Sequence, residues 1–278
     1  MKKLFRIYNY FIYRLKAVNQ HGVHSPFVFD LLINVIYNRN NYYCYKTIEN
    51  IREQLLNSKK TIQVIRTEHI VCTIDIGKSN PEGNFDQDNK IKKVEKTVAQ
   101  ITKGSSKSAK YSQLMFRLVN HFQPSQILEI GTSFGIDTAY MAASNSKTEI
   151  ITIEENREFA EIANRNFKQL KLKNIEQNIG NIDAILPGIL GKYQKLYFVY
   201  FDENHSKQNT LDYFYCCLEK VDETSVFVFA NMYMSSQMKE AWDEIKNNDQ
   251  ITVTLDLFFI CIVFFRKEQV KQHFLIKY

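Results

Sequence analysis

Four acids carry the clearest chemical suggestion in this chain, because each lies in or just after a short apolar run: Glu129, Glu154, Asp183 and Asp202. The first belongs to the stretch Gln126 to Gly135, where Glu129 is followed by Gly131, Thr132, Ser133 and Gly135. A strand, a glycine turn and a helix N-terminus together present backbone N–H groups to a ligand. Glycine lets the backbone approach that ligand closely or take a positive φ. The next apolar run ends in Glu154, where a carboxylate can accept both hydroxyls of a ribose. After the third come Gly180, Asn181, Ile182 and Asp183, an apolar side chain to pack on an adenine face and a carboxylate to accept from its amino group. The fourth ends in Asp202, Glu203, Asn204 and His205. One acid after a strand is ordinarily a solvated strand end, but four on successive strand ends point to a nucleotide-type ligand. There is no G-x-G-x-x-G and no Gly-Lys-Ser/Thr after the first strand, which argues against NAD and ATP. His205 has two readings: a base of near-neutral pKa, or a cap on the helix starting near Ser206. Tyr233, past the fifth strand, either faces a substrate or packs.

These residues need an open α/β sheet to position them. From Gln126 onward, strands are expected at Ile127 to Ile130, Glu149 to Ile153, Ile175 to Ile179, Leu196 to Phe201, Ser225 to Phe229, Ile251 to Phe258 and Cys261 to Phe265. Helical stretches separate most of them, including Ile136 to Ala143. Five strands joined by crossovers imply a parallel sheet, and the last two, with almost no loop between them, imply a terminal hairpin. The fold class expected is therefore a Rossmann-like, doubly wound seven-stranded α/β sheet with a mainly helical N-terminal accessory region.

Upstream, Leu4, Ile7, Tyr8, Phe11, Ile12 and Leu15 fall at helical spacing, so the first sixteen residues read as an amphipathic helix. Packing on the body or on a second subunit is favoured over a membrane surface. Ser25 and Pro26 form an N-cap and first helical residue for a helix to about Tyr37. His21 and His24 lack the partners a metal would require and read as loop residues. A helix over Tyr45 to Leu56, strands at Thr61 to Ile65 and Ile70 to Ile76, and a breaker-rich loop over Lys78 to Asn89 follow. Ile91 to Thr102 reads as helix, Gly104 to Ala109 as a small-residue loop, and Tyr111 to Phe122 as a helix stopped by Pro124. The division expected is an accessory or substrate-cap region at 1–103 and a ligand-binding domain at 104–278.

The 278 residues suffice for a full core, and 45% hydrophobic with 24% charged residues is ordinary for a globular protein. The net charge of +6 permits nucleic-acid or membrane-surface contact without requiring it. The five cysteines show no C-x-x-C pair or zinc spacing, and their odd number fits no disulfide framework, so a cytoplasmic location is expected. No window approaches a membrane span, so no stable membrane insertion is expected.

Taken together, the residues resemble the class I S-adenosylmethionine (SAM)-dependent methyltransferases, within them the catechol O-methyltransferase-like small-molecule branch. The resemblance covers about Lys110 to Phe265 and includes Tyr111-Ser112-Gln113-Leu114-Met115, similar to a segment that lies over the cofactor, and Ile185-Leu186-Pro187. The entire chain, with His21 to Asp30 and Phe264 to Gln269, resembles a group of Bacteroidetes methyltransferase-like proteins. The resemblance implies SAM as cofactor, with Glu129 and the turn of Gly131, Thr132, Ser133 and Gly135 at its methionine part. It implies Glu154 at the ribose, Ile182 and Asp183 at the adenine, and Gln113 and Asp202 completing the site. In metal-dependent relatives a cation is held by an acid after the fourth strand and an Asp-Asn or Asp-Asp pair after the fifth, while a Lys takes the proton. Asp202 matches the first acid, Ala230-Asn231 stands at the pair, and His205 at the Lys. One Asp with one Asn is a poor magnesium site, so Asp202 and Asn231 are weak candidates and metal binding is expected to be weak or absent.

The expected function is SAM-dependent methylation, by Asp202 and His205, of a small-molecule acceptor, with oxygen as the accepting atom. A non-catalytic SAM-binding partner or scaffold ranks second, and an RNA or protein methyltransferase third. No Asn-Pro-Pro-Tyr-type motif or Arg-rich cluster supports nucleic acid. A homodimer or a partner subunit would engage the N-terminal region.

Overall fold

The computed structural model describes residues 2–67, 91–105, 108–202 and 206–278. The chain divides into two compact units, Met1–Arg52 with Lys107–Tyr278, and Glu53–Ser106.

In the first unit, α1 (Lys2–Lys16) leads through a short 3-10 turn to α2 (Pro26–Leu31), which runs into a π turn at Leu32–Ile36. Ser25 caps α2 by accepting from the Val28 N–H, and Pro26 opens it, as the sequence pattern requires. His21 is exposed in the 3-10 turn, and His24 is exposed in the loop before α2. Helix α3 spans Tyr45–Asn57.

The second unit holds an antiparallel pair, β1 (Thr61–Thr67) and β2 (Ile91–Thr97), followed by α4 (Val98–Ser105). The helix expected over Ile91 to Thr102 is corrected here, because its first seven residues pair with β1 from Thr61↔Thr97 to Thr67↔Ile91. The helix begins instead at a capping box, in which Thr97 Oγ1 accepts from the Gln100 N–H and Gln100 Oε1 accepts from the Thr97 N–H. The strand expected at Ile70 to Ile76 and the loop at Lys78 to Asn89 lie outside the described residues.

The body continues with α5 (Ala109–Phe122), β3 (Gln126–Ile130), α6 (Ile136–Ser144), β4 (Glu149–Glu154), α7 (Arg157–Gln169), β5 (Ile175–Ile179) and α8 (Ile182–Lys192). After these come β6 (Phe198–Phe201), α9 (Lys207–Leu218), β7 (Val226–Ala230), α10 (Ser236–Asn247), β8 (Val253–Asp256), β9 (Ile260–Phe264) and β10 (Gln272–Leu275). The sheet order is β10-β8-β9-β7-β6-β3-β4-β5, with β9 antiparallel to both neighbours and the other pairings parallel. All seven expected strands are present. The eighth, β10, extends the sheet beside β8 and was not assigned from sequence.

The strands between the two edges are apolar almost throughout because helices cover both faces. Ile127, Tyr200, Val226, Val228 and Ala230 meet α2, α5 and α6 on one side. Leu128, Ile153, Phe201, Phe227 and Phe229 meet α8, α9 and α10 on the other. The chain's two terminal segments are clasped together: the Tyr13 hydroxyl donates to the Ile276 carbonyl, and Val18 forms a parallel bridge with Ile276. Among the described residues no helix is long and apolar enough to cross a membrane.

Candidate active site

The parallel register brings five strand ends into one row. Gly131 N–H donates to Ile153 O, Gly180 N–H to Glu154 O, and Asp202 N–H to Ile130 O. These bonds set Gly180, Glu154, Gly131 and Asp202 side by side, with Asn231 beyond them after β7. Carboxyl ends of parallel strands are where open α/β sheets hold ligands.

Between β3 and α6 the backbone turns sharply, with φ of 99° at Gly131, 50° at Ser133 and 75° at Gly135. Glu154 fastens this turn: its Oε2 accepts from the Ser133 N–H at 2.7 Å and its Oε1 from the Asn156 N–H at 2.9 Å. Its carboxylate is therefore oriented before any ligand arrives. Gly135 has a packing reason as well, since a Cβ there would come within 2.5 Å of the Phe167 ring on α7.

Glu129 lies below the turn and is 1% exposed. Its Oε2 accepts from Thr138 on α6 and Thr152 on β4, each at 2.6 Å, and the Thr132 and Thr152 hydroxyls are 2.5 Å apart. Burial pushes the Glu129 carboxyl up to about 8, against the two threonine hydrogen bonds that hold it down, with Asp137 and Asp202 adding to the rise. Its place is that of a brace under the turn.

Ile182 is 1% exposed and faces the α8 side of the core, while Asp183 is exposed in the first turn of α8. The sequence reading missed the group that fixes them. Glu155 Oε1 accepts from the Ile182 N–H at 3.1 Å and from Asn181 Nδ2 at 3.2 Å, tying β4 to the start of α8.

A second missed feature is a polar network reaching in from α3. Arg52 pairs with Glu49 and donates to Ser112 Oγ at 2.9 Å; Ser112 donates to Asp137 Oδ1, and Tyr200 donates to Asp137 Oδ2 at 2.9 Å. Tyr140 donates to Glu49 Oε1 at 2.7 Å and is hydrogen-bonded by the Gln113 side chain. The one sequence signal was Asp137, an acid in the first turn of the helix after Gly135. The network anchors Gln113 and the start of α6 to the N-terminal segment.

Past the fifth strand the character changes. Ala230 is fully buried, on the same side of the sheet as Val226 and Val228. Tyr233 packs: its ring stacks on Phe258 at 4.7 Å and its hydroxyl donates to Asp256 at 2.5 Å. Burial raises its pKa, followed by the adjacent Asp256 charge. Asp256 also accepts from Trp242 Nε1 and the Phe258 N–H. His205 lies outside the described residues. The cap of α9 is Ser206, whose Oγ accepts from the Asn209 N–H at 3.1 Å. Among the described residues no group of three or more His, Cys, Asp or Glu side chains could hold a metal ion.

Comparison with known proteins bears on this arrangement. The family model for protein-L-isoaspartate(D-aspartate) O-methyltransferase matches residues 49–183, just under half of the chain. No match is found among the curated proteins. Among solved structures, the O-methyltransferase TomG of Streptomyces achromogenes, involved in tomaymycin synthesis and in complex with SAM, is 20% identical with a TM-score of 0.51, over 58% of this chain and 82% of that one. An O-methyltransferase from Bacillus cereus in complex with SAH is 21% identical with a TM-score of 0.50, over 58% and 83%. The SAH-bound Podospora anserina methyltransferase PaMTH1 is 14% identical with a TM-score of 0.53, over 59% and 81%. At these identities the likeness is one of fold, and the α/β sheet described above is shared with these methyltransferase structures.

Proposed function

We propose that this chain is a cytoplasmic SAM-dependent methyltransferase that methylates an oxygen of a small molecule without strong dependence on a metal. The observation that carries the proposal is the Glu154 carboxylate, held by two backbone N–H groups in the row of strand ends, where a ribose diol would be recognised. The fold likeness to SAM- and SAH-bound enzymes supports the cofactor. The O-methyltransferase names of the matched family and structures support oxygen as the accepting atom. The closer likeness to Bacteroidetes methyltransferase-like proteins, and a ligand-binding domain at 104–278 served by an accessory region at 1–103, belong to the same proposal.

When bound, SAM supplies a methyl group on a positively charged sulfur. Glu154 would hold its ribose and Ile182 with Asp183 its adenine, while Gly131, Thr132, Ser133 and Gly135 form the turn at its methionine end. Gln113 and Asp202 complete the set, and Glu129 supports the turn from below. Such a displacement requires chiefly alignment and exclusion of water. An acceptor hydroxyl also has to lose its proton, which a ring nitrogen of His205 takes in this scheme. Asp202 and Asn231 would be at most weak cation ligands.

Calorimetric titration with SAM tests the proposal: the wild type is expected to bind, Glu154→Ala to lose binding, and absence of wild-type binding overturns it. Methyl transfer unchanged in His205→Ala removes that base, and micromolar Mg²⁺ affinity dependent on Asp202 overturns the metal reading. The buried Ala230, with no ligand atom, favours a second reading as a non-catalytic SAM-binding partner subunit. SAM binding without transfer to any of a panel of hydroxyl and carboxyl acceptors would select that reading.

A further inference from the structure

A cleft of about 790 Å³ opens between α1, the segment after the π turn, α5 and the residues following β10. Five cations among the described residues line it: Arg14, Arg39, Lys110, Arg117 and Lys277. Its other polar lining consists of amides and tyrosine hydroxyls, including Asn38, Asn40 and Asn41, and no carboxylate side chain is among the described residues that line it. None of the five cations forms an ion pair among the described residues. Lys110, Gln113 and Arg117 share one face of α5, being three and seven residues apart.

Part of this lining is fixed in advance. Arg117 is 6% exposed; its Nε donates to the Val35 carbonyl at 2.7 Å and its Nη2 contacts Tyr278 Oη at 2.9 Å. Tyr278 Oη donates in turn to the Lys110 carbonyl, and the Lys110 ammonium sits 3.7 Å from the centre of the Tyr278 ring. Burial lowers the Lys110 pKa, and the charges of Arg117, Arg14 and Arg39 lower it further. Like charges gathered in a concavity repel one another, and the potential they focus attracts a compact anion. Arginine forks match the geometry of phosphate oxygens in particular.

We propose that this cleft binds a phosphorylated ligand. The cleft is far larger than a single phosphate and falls in the size range of sites for small organic ligands. The phosphate could belong to a free molecule or to a lipid headgroup. The second source is physically open because α1, which supplies Arg14, exposes Leu4, Ile7, Phe11 and Leu15 along one stripe and is flanked by Lys3 and Lys16. The inference does not depend on methyl transfer.

The test uses the full chain, inorganic pyrophosphate, and phosphatidylcholine vesicles with and without phosphatidic acid. The comparison protein is Arg14→Gln/Arg39→Gln/Lys277→Gln, chosen because all three side chains are exposed and the melting temperature should be unchanged. Pyrophosphate binding that weakens about tenfold or more in the triple variant, and falls with added salt, supports the site with a free ligand. Binding only to vesicles containing phosphatidic acid, lost in the same variant, supports it with a lipid headgroup. No binding to either probe at low salt, or binding that the triple substitution leaves intact, overturns the proposal.

Discussion

The two halves of the sheet edge are built on different principles. On the β5-β4-β3-β6 side, strand ends finish in polar groups tied to backbone N–H donors: Glu154 to Ser133 and Asn156, and Glu155 to Ile182. On the β7-β9-β8 side, the ends are filled by Ala230, Tyr233 and Phe258, with the buried acid Asp256 saturated by Tyr233, Trp242 and a backbone N–H. Helix α1 adds to that filling by laying Tyr10 and Tyr13 against Phe258 at 5.0 and 5.4 Å. One half keeps oriented acceptors ready for a ligand, whereas the other spends its polar groups on internal packing. Of the two departures from the metal-dependent pattern, Ala230 falls in the second half, whereas His205 follows β6 in sequence, in the first.

Four substitutions would break or sharpen this contrast. Gly135→Val should have the largest effect, because it forces a branched side chain into φ 75° and into the Phe167 ring. A loss of about 4 kcal/mol, read as a fall in Tm on the order of 10 °C, is expected. Asp256→Ala should cost about 3 kcal/mol in denaturant unfolding, since three buried donors lose their acceptor together. An unchanged midpoint would show that the packed half does not depend on that acid.

Glu129→Gln acts through pH. The folded carboxyl titrates near 8, above its ordinary value of 4.5, so the folded state binds the proton more tightly. The associated stability is fully present below pH 4.5 and is lost as pH rises through about 8. The glutamine variant should flatten that decline by roughly 2 kcal/mol between pH 5 and 9, measured by unfolding at each pH. An equally steep decline would place the titrating group elsewhere. The smallest effect belongs to Tyr10→Ala, which removes a half-exposed edge contact with Phe258 and should cost about 1 kcal/mol.

Much of the sheet was legible because its signals are local. Apolar runs covered on both faces, the Ser25-Pro26 helix start and the short link before β9 can each be read within a few residues. The helical period over Ile91 to Thr102 misled, although the Thr97…Gln100 capping box marked the true start of α4. Of the residues at helical spacing in α1, Leu4, Ile7, Tyr8, Phe11 and Leu15 are exposed and Ile12 is half-buried, so of the two favoured packings this stripe does not supply the one on the body. Its contacts come instead from Tyr10 and Tyr13, because a tyrosine can cover Phe258 and still reach a carbonyl near β10. The Glu49–Arg52–Ser112–Asp137–Tyr200 network was not legible, since nothing local indicates that residues so distant share one set of hydrogen bonds.

The clasp between Tyr13 and Ile276 joins positions 263 residues apart. Closing so long a loop carries a large entropic cost that local helices and hairpins avoid. Docking of α1 is accordingly expected late in folding, and its release is expected among the less costly openings of the native state. Hydrogen exchange should find the amides of α1 opening well before those of β3 and β4. In a chain where α1 both covers Phe258 and supplies Arg14 to the basic cleft, that opening would uncover one region and dismantle the other in a single motion.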